Sequence, residues 1–379
     1  MALVLNQEQE MLRDSALGFL RENAPIAQLR ALRDDRDAQG FSQALWRRFT
    51  EMGYTGMLVP EAYGGLGLGL VEAGAVMEAI GRNLTATPFL STAVLAATLL
   101  ARHGSEAQRE ACLPRLAAGE LILALAVDEA VKHRPQRQSL TATPAGGGYR
   151  LDGAKCMVVD GHVADILVVA ARTAGMANDR DGVTLFLVDR LAAGVNVERT
   201  VMVDAHNAAR VLFHDVAVDA DAIVGQLDRG GEALESALDA GRAALSSELL
   251  GIAEETFDRT LAYLKERRQF GRIIGEFQAL QHRAAHLYSE IEITRALVLH
   301  GQQLLDQDSG KASLLVSAAK ARAGRTSALA VQEAVQMHGG MGMTDEFDIG
   351  LFMKRQRVAE ELLGDAGFHT DRWARLQEY

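Results

Sequence analysis

The sequence is poor in cysteine and has no long apolar run. Cys112 and Cys156 are its 2 cysteines among 379 residues, and their spacing fits neither a metal site nor a redox motif. This composition excludes a disulfide scaffold, so we expect a reducing compartment and no metal. The longest apolar stretch, residues 93–101, is shorter than the ~18 residues that span a membrane, and the N-terminus does not read as a signal peptide. We therefore expect a cytoplasmic protein without a membrane partner.

Positive charge is also scarce. The chain has 39 Lys and Arg against 50 Asp and Glu, a formal net charge of −11. Binding to nucleic acid needs a basic surface for the phosphates, so this balance argues against nucleic acid as the main partner. The length exceeds what one simple core holds, and two or three packed units are expected.

The hydrophobic period divides the chain into three parts. Residues 1–120 have a helical period. Residues 121–225 contain short, Val-rich segments between Gly, Asn and Asp turns, which is typical of a small antiparallel barrel or sandwich. Residues 226–379 are helical and low in proline, with long helices expected at 232–268, 278–306 and 311–337. The sequence therefore predicts a multidomain α+β fold with an N-terminal α-helical domain, a middle small antiparallel β-barrel and a C-terminal four-helix bundle.

Three stretches carry most of the local information. Residues 58–69 form a glycine-rich loop whose spacing fits neither a dinucleotide fingerprint nor a P-loop, so a tight connection between helices is favoured. Residues 267–271 read Arg-Arg-Gln-Phe-Gly, which indicates a helix end with cations in the last turn and a glycine stop. Residues 336–342 read Gln-Met-His-Gly-Gly-Met-Gly. A helix end explains the charges, but it does not explain why Phe270 and Gln278 flank the break.

Together and in this order, these stretches resemble the acyl-CoA dehydrogenase family over essentially the whole chain. The matching segments are residues 51–67, 267–278 and 336–342, arranged around a β unit. The resemblance implies a flavoprotein with FAD that dehydrogenates an acyl-CoA thioester between its α and β carbons. It also implies a dimer of dimers and an electron-transfer flavoprotein as the electron acceptor.

The resemblance assigns part of this chain to FAD. Arg267 matches the residue that meets the pyrophosphate, where a planar guanidinium forks onto phosphate oxygens. A second contact falls on a glycine loop, where missing side chains let backbone N–H groups approach closely. In the family these groups serve an FAD whose isoalloxazine ring lies in the neighbouring subunit. The expected cofactor-binding residues are Arg267, Phe270, Ile274, Gln278, Gln336, Gly339 and Gly340, whereas His338 is expected to pack within its loop.

The catalytic carboxylate is missing from both places where the family has it. The reaction needs a base in a dry pocket, with a pKa matched to the complex with substrate. One family position falls on Leu363 and the other on Gly241, and neither side chain can take a proton. Glu361, Asp365 or Asp239 could substitute only through a shift of the backbone. The catalytic base therefore stays unassigned.

The substrate side is less specific. Asp239 and Arg242 match helix positions near the CoA moiety in the family. Arg242 could equally pair with Glu235 or Asp239 on its own helix. Gly241 leaves volume that a branched or ring-bearing acyl group could fill, but one glycine does not decide the acyl group.

The β unit departs from the family where it would hold its own flavin ring. Asp128, Glu129 and Ala130 stand where the family usually has Thr-Glu-Pro. Met157 replaces an aromatic residue and Val159 replaces a Ser or Thr, so only the backbone N–H of Val159 is left as a donor. The groups that would hold this chain's own flavin ring are weakened, while those it would lend to a neighbour are kept.

This asymmetry favours one function over two others. We expect an FAD-dependent acyl-CoA dehydrogenase. It is either a homo-oligomer or one subunit of a hetero-oligomer, in which this chain completes the FAD site of a catalytic subunit, as in some bacterial members that act on steroid side-chain thioesters. One alternative is a flavin monooxygenase or oxidase of the same fold, which needs oxygen access rather than a base. The other is a catalytically inactive oligomer that binds FAD or CoA.

Overall fold

The computed structural model describes residues 3–179 and 181–379, with helices towards both ends of the chain and a sheet between them. The helices are α1 Gln7–Asn23, α2 Ile26–Asp34, α3 Gln43–Glu51, α4 Leu70–Asn83, α5 Ala97–His103, α6 Glu106–Ala117, α7 Gly230–Glu266, α8 Gln278–Asp306, α9 Ala312–His338, α10 Ile349–Glu361 and α11 Ala366–Leu376. The strands are β1 Leu123–Ala126, β2 Thr141–Ala145, β3 Gly148–Val159, β4 Ile166–Arg172, β5 Val183–Asp189, β6 Val195–Val201, β7 Asn207–Asp219, β8 Ile223–Val224, β9 Arg268–Gln269 and β10 Arg272–Ile273. The expected helical, β and helical parts are confirmed.

The chain packs as two units. One consists of Met1–Ala31, Leu70–Thr85 and Arg242–Tyr379, and the other of Leu32–Gly69 and Ala86–Gly241. The domain limits expected at residues 120 and 225 stay predictions. No helix in the described part of the chain is long and apolar enough to cross a membrane.

The long C-terminal helices follow from composition. Helices α7, α8 and α9 lie within two residues of the spans that the sequence predicts. Alanine-rich segments without proline propagate as helix, because neither a missing N–H nor a ring clash interrupts the ladder. Local side chains fix other ends: Asn6 caps α1, accepting from the Gln9 N–H at 2.9 Å while the Gln9 side chain accepts from the Asn6 N–H at 3.0 Å.

The main sheet has the strand order β6-β7-β3-β2-β4-β5-β8, and β1 also pairs with β4. Most neighbours are antiparallel, as the sequence predicts, but β1 and β2 each pair with β4 in parallel. The period of apolar residues shows which face of a strand is buried and does not show the direction of its neighbour. The apolar core of this sheet includes Leu151, Val169, Phe186, Val211 and Phe213.

Two glycines let α4 and α7 approach closely. A Cβ on Gly81 would lie 2.1 Å from the carbonyl oxygen of Glu248. A Cβ on Gly251 would lie 2.1 Å from the carbonyl oxygen of Glu78. Each glycine follows its helix's glutamate by three residues, so the contact is reciprocal. Any side chain at either glycine would push the helices apart.

Candidate cofactor site

The predicted cofactor segment is a short hairpin between α7 and α8. Strands β9 and β10 pair Arg272 with Gln269, which leaves Phe270 and Gly271 as a two-residue turn. Both turn residues have left-handed backbones, with φ of 54° and 78°. Two consecutive positive φ values define the tight hairpin turn that Asn-Gly usually forms, so a phenylalanine at the first position is strained.

Phe270 projects away from the rest of the described chain. Its side chain is 91% exposed, and its ring meets only the edge of Phe277, at 6.3 Å between centroids, among the ring pairs of the described residues. An exposed aromatic ring on a strained backbone gains little for the folded chain by itself. The arrangement indicates a contact that a ligand or a partner completes.

Main-chain hydrogen bonds hold the other predicted residues of this segment around the hairpin. The Arg267 carbonyl accepts from the Ile274 N–H at 2.9 Å, which closes the hairpin at its base. Arg267 is exposed, and Gln278 is exposed as the first residue of α8. The structure therefore presents Arg267, Phe270 and Gln278 to solvent and leaves Ile274 half-buried beneath them.

The second predicted segment lies at the end of α9. Helix α9 ends at His338, and Gly339 follows with φ 60° and ψ −141°, a conformation that residues with a Cβ avoid. Beyond the backbone of their own short helical turn and their chain neighbours, no atom of the described chain would lie within 4 Å of a Cβ on Gly339 or Gly340. Gln336 and both glycines are exposed. The missing side chains keep the backbone of this loop accessible.

A ring contact joins the two segments. Tyr263, one turn before Arg267, stacks on His338 at 4.3 Å between centroids. His338 is buried, its Nδ1 bonds the Ala334 carbonyl at 2.8 Å, and burial lowers its pKa. His338 therefore packs in its loop, as the sequence predicts. The sequence gives no signal for its partner, because 75 residues separate Tyr263 from His338.

These residues fit an anionic dinucleotide. Arg267 offers a guanidinium for phosphate, and the backbone at Gly339 and Gly340 is open to a close approach. Phe270 offers an aromatic face to a partner or an adenine ring. FAD contains both phosphates and an adenine, so the side chains present agree with that cofactor. The assignment of the seven cofactor-binding residues stays a prediction.

The turn that carries Leu363 is held by three basic side chains. Leu363 has a φ of 56°, and its carbonyl accepts from Arg242 Nε at 3.4 Å and contacts His369 Nε2 at 3.1 Å. Lys320 Nζ donates to the carbonyls of Ala359, Glu360 and Gly364 at 3.2, 2.8 and 3.0 Å. Burial lowers the pKa of Lys320 to about 7 and also lowers that of His369. The turn is thus fixed by main-chain contacts.

The candidate substitute bases near Leu363 have other roles. Glu361 pairs with Arg357 at 3.4 Å, and Asp365 caps α11 by accepting from the Phe368 N–H at 2.7 Å. Asp239 lies within α7 and is buried. Gly241 lies in the same helix. Neither family base position carries an ionisable side chain.

Arg242 is fully buried in its unit. Besides the Leu363 carbonyl, its guanidinium lies 5.7 Å from the centre of the Phe368 ring. Both contacts hold the Leu363 turn and the first residues of α11 against α7. The expectation that Asp239 and Arg242 bind substrate stays a prediction.

The loop after β1 is held by hydrogen bonds among its own residues and with Lys155 of β3. Asp128 accepts from the Arg134 N–H at 3.0 Å and bonds His133 Nδ1 at 2.8 Å. Lys155 is buried and donates to Glu129 Oε1 at 2.8 Å and to the Val127 carbonyl at 3.1 Å. Burial lowers the pKa of Lys155 to about 8. A lone lysine in a strand pattern gives no sequence signal for such a network, because its partners lie in the preceding loop.

The two expected ring-side positions have little to offer a flavin ring. Met157 has a φ of 52° and lies in an irregularity of β3 between Lys155 and Val158. Val159 is half-buried and has only its backbone to donate. Asp128, in place of a threonine, already binds its own loop. The weaker hold on this chain's own flavin ring, which the sequence predicts, stays a prediction.

Known proteins match this chain over most of its length. Three family descriptions match: the acyl-CoA dehydrogenase N-terminal domain over residues 6–120, the middle domain over 133–216 and the C-terminal domain over 228–376. Mitochondrial isovaleryl-CoA dehydrogenase of Pongo abelii is 31% identical over 366 residues, covering 94% of this chain and 85% of that protein.

Two solved structures are similar over nearly their full length. The ChsE4-ChsE5 complex from Mycobacterium tuberculosis has a TM-score of 0.89 at 28% identity, covering 100% of this chain and 99% of that one. A variant of the Tcur3481-Tcur3483 steroid ACAD has a TM-score of 0.87 at 30% identity, covering 98% of both chains.

Proposed function

This chain belongs to the acyl-CoA dehydrogenase family of FAD-dependent oxidoreductases that act on CH–CH groups, and we propose that it completes the FAD site of a catalytic subunit within a heteromer. One observation carries the proposal: both family base positions, Gly241 and Leu363, lack a proton acceptor, while the cofactor-facing hairpin and glycine loop are intact and exposed.

The residues present suggest which part of the FAD site each of the two chains would supply. Arg267 would bind the FAD pyrophosphate, the backbone at Gly339 and Gly340 would approach the same half, and Phe270 and Gln278 would contact the adenosine side. When bound, FAD supplies the acceptor for the substrate's β-hydrogen as hydride. The proton acceptor for the α-carbon and the cover of the flavin ring would then come from the partner chain. Two similar structures named as pairs, ChsE4-ChsE5 and Tcur3481-Tcur3483, support this arrangement.

The finer assignments rest on the same relatives. We propose a branched or ring-bearing acyl group, because a steroid ACAD is among the similar structures and Gly241 offers no bulk. We also propose electron-transfer flavoprotein as the electron acceptor, which the family resemblance supports. The cytoplasmic location stays a prediction.

The decisive experiment compares the chain alone with the chain co-expressed with a second acyl-CoA dehydrogenase chain that carries the catalytic glutamate. FAD content and anaerobic bleaching of the flavin by isovaleryl-CoA, octanoyl-CoA and a steroid side-chain CoA thioester are measured on both. We expect stoichiometric FAD and bleaching only in the co-expressed assembly. Stoichiometric FAD and turnover in the chain alone would refute the proposal. Oxygen consumption with a reductant, without bleaching by any thioester, would support the oxidase or monooxygenase alternative.

A charge-matched pair of variants tests the role of Arg267. Arg267→Gln should weaken FAD binding in the assembly by about tenfold or more, because a hydrogen bond between charged groups contributes about 1.5–3 kcal/mol. Lys265→Gln removes the same charge from an exposed residue two positions earlier and should change FAD affinity by less than about threefold. Equal effects of the two variants would indicate that positive charge in this region attracts FAD non-specifically and that Arg267 makes no specific contact.

A further inference from the structure

Three aromatic rings lie between the two cofactor-facing segments. Tyr263 of α7 and His338 of α9 are stacked, with centroids 4.3 Å apart and planes 24° apart. The Phe347 ring meets both from the edge, at 6.2 Å from Tyr263 and 5.9 Å from His338. Stacked and edge-on rings at these distances are favourable arrangements, each contributing about 0.5–1.5 kcal/mol beyond burial.

Hydrogen bonds fix the stack to the main chain on both sides. His338 Nδ1 bonds the Ala334 carbonyl at 2.8 Å, which sets the imidazole orientation against α9. Tyr263 Oη donates to the His338 carbonyl at 3.4 Å. The Tyr263 carbonyl accepts from the Arg267 N–H at 2.9 Å. The rings are therefore connected through main-chain atoms to Arg267 on one side and to the start of the glycine loop on the other.

The stack lies next to both predicted cofactor segments in the sequence. Tyr263 precedes Arg267 by four residues, and His338 directly precedes Gly339. The two segments are otherwise joined along the chain only through the whole of α8 and α9. A ligand that bridges Arg267 and the Gly339–Gly340 backbone needs these groups at a fixed separation, because loosely held contacts lose affinity to ordering.

We propose that Tyr263 and His338 are positioning residues for FAD, setting the separation between Arg267 and the Gly339–Gly340 loop without touching the cofactor. The inference rests on the proposed function, since it takes those groups as the FAD site. The stack then acts as a spacer between the two groups that bind FAD, Arg267 and the Gly339–Gly340 loop. Phe347 packs against both rings and keeps them in place.

FAD affinity of the FAD-loaded assembly tests this spacer. His338→Ala removes the ring pairs with Tyr263 and with Phe347 and should raise the FAD dissociation constant about tenfold. His338→Phe keeps a ring of similar shape and should restore affinity to within about threefold of the parent protein. Phe352→Leu, at a buried ring of α10, serves as the control for general destabilisation and should leave the dissociation constant unchanged.

A second measurement reports on the chain without cofactor. The Ile274 N–H donates to the Arg267 carbonyl, and its hydrogen exchange should quicken in His338→Ala and return towards the parent rate in His338→Phe. This readout shows whether the ring contact steadies the hairpin before any FAD binds.

The outcomes separate this inference from the proposed function. If Arg267→Gln weakens FAD binding while His338→Ala does not, the spacer role is wrong and the FAD site stands. If Phe352→Leu weakens binding as much as His338→Ala, or His338→Phe fails to restore it, the rings act only through stability and the inference is overturned. If Arg267→Gln itself has no effect, the proposed FAD site is wrong, and the spacer role with it.

Discussion

At the scale of single residues, helices α4, α7 and α8 share a partly buried group of charged side chains. Glu78 of α4 lies next to Glu254 and Arg295, and Arg82 pairs with Glu254 at 2.9 Å and with Glu255 at 3.1 Å. Burial and the charge of Glu254 raise the pKa of Glu78 to about 8, and Arg295 opposes them. Carboxylates outnumber the cations there, so one proton is retained at neutral pH.

The retained proton predicts the pH dependence of stability. The folded chain holds this proton between the ordinary Glu pKa of 4.5 and about 8, while the unfolded chain releases it. The free energy of unfolding should therefore fall as pH rises through that window, by at most about 1.4 kcal/mol per pH unit for one proton. Glu78→Gln should flatten the slope between pH 5 and 8, as urea unfolding at several pH values would show. An unchanged slope would place the proton elsewhere.

At the scale of elements, backbone contacts decide which helices can meet. The α4–α7 crossing depends on Gly81 and Gly251, each against a carbonyl of the other helix. A helical period identifies both helices but not their crossing point, since a glycine inside a helix reads only as a weak position. The same applies to the hairpin, where the sequence predicts a break but not two left-handed residues.

The crossing gives a prediction with an internal control. Gly251→Ala should destabilise the fold by about 3 kcal/mol, because its Cβ would meet a backbone oxygen that cannot move aside. Gly18→Ala, in the open middle of α1, should stabilise by about 0.5–1 kcal/mol through helix propensity. Chemical denaturation of both variants checks the difference. Equal, small effects would mean that α4 and α7 do not cross there.

The hairpin gives a prediction in which stability and binding move in opposite directions. Phe270→Asn places the residue that prefers the first position of this turn and should stabilise the free chain by about 1 kcal/mol. The same variant should weaken FAD retention by the assembly, because the exposed ring is lost. Phe270→Tyr keeps the ring and should retain FAD. Thermal unfolding and flavin content measure the two effects, and a stabilised variant that still retains FAD fully would remove the ring from the site.

At the scale of the whole molecule, the proposal gives this chain one half of a cofactor site and gives its partner the other half. The groups predicted to bind the cofactor are exposed, whereas the turn around Leu363 and the loop after β1 are held by hydrogen bonds within the chain. A chain built this way should not retain FAD alone. The assembly, and not the single chain, is the unit that would bind cofactor and substrate.

Removal of FAD should therefore lower the stability of the assembly and leave the stability of the single chain unchanged. A ligand at 100 times its dissociation constant stabilises the folded state by about 2.7 kcal/mol. Stripping FAD from the co-expressed assembly should lower its unfolding temperature, and adding FAD should restore it. Adding FAD to the chain alone should leave its unfolding temperature unchanged. A rise in the chain alone would show a complete site in a single type of subunit.

The sequence by itself determined the order of helical and β parts, the spans of the long helices and the absence of a base at Gly241 and Leu363. Periodicity and composition act locally, and no fold can give a proton acceptor to a side chain without one. Only the tertiary structure decided the Tyr263–His338 stack and the contacts of Arg242, Lys320 and His369 with the carbonyls of the Leu363 turn. Apart from the His369 contact, which spans 6 positions, they join residues at least 44 positions apart, so they depend on how the helices pack and not on neighbours in the chain.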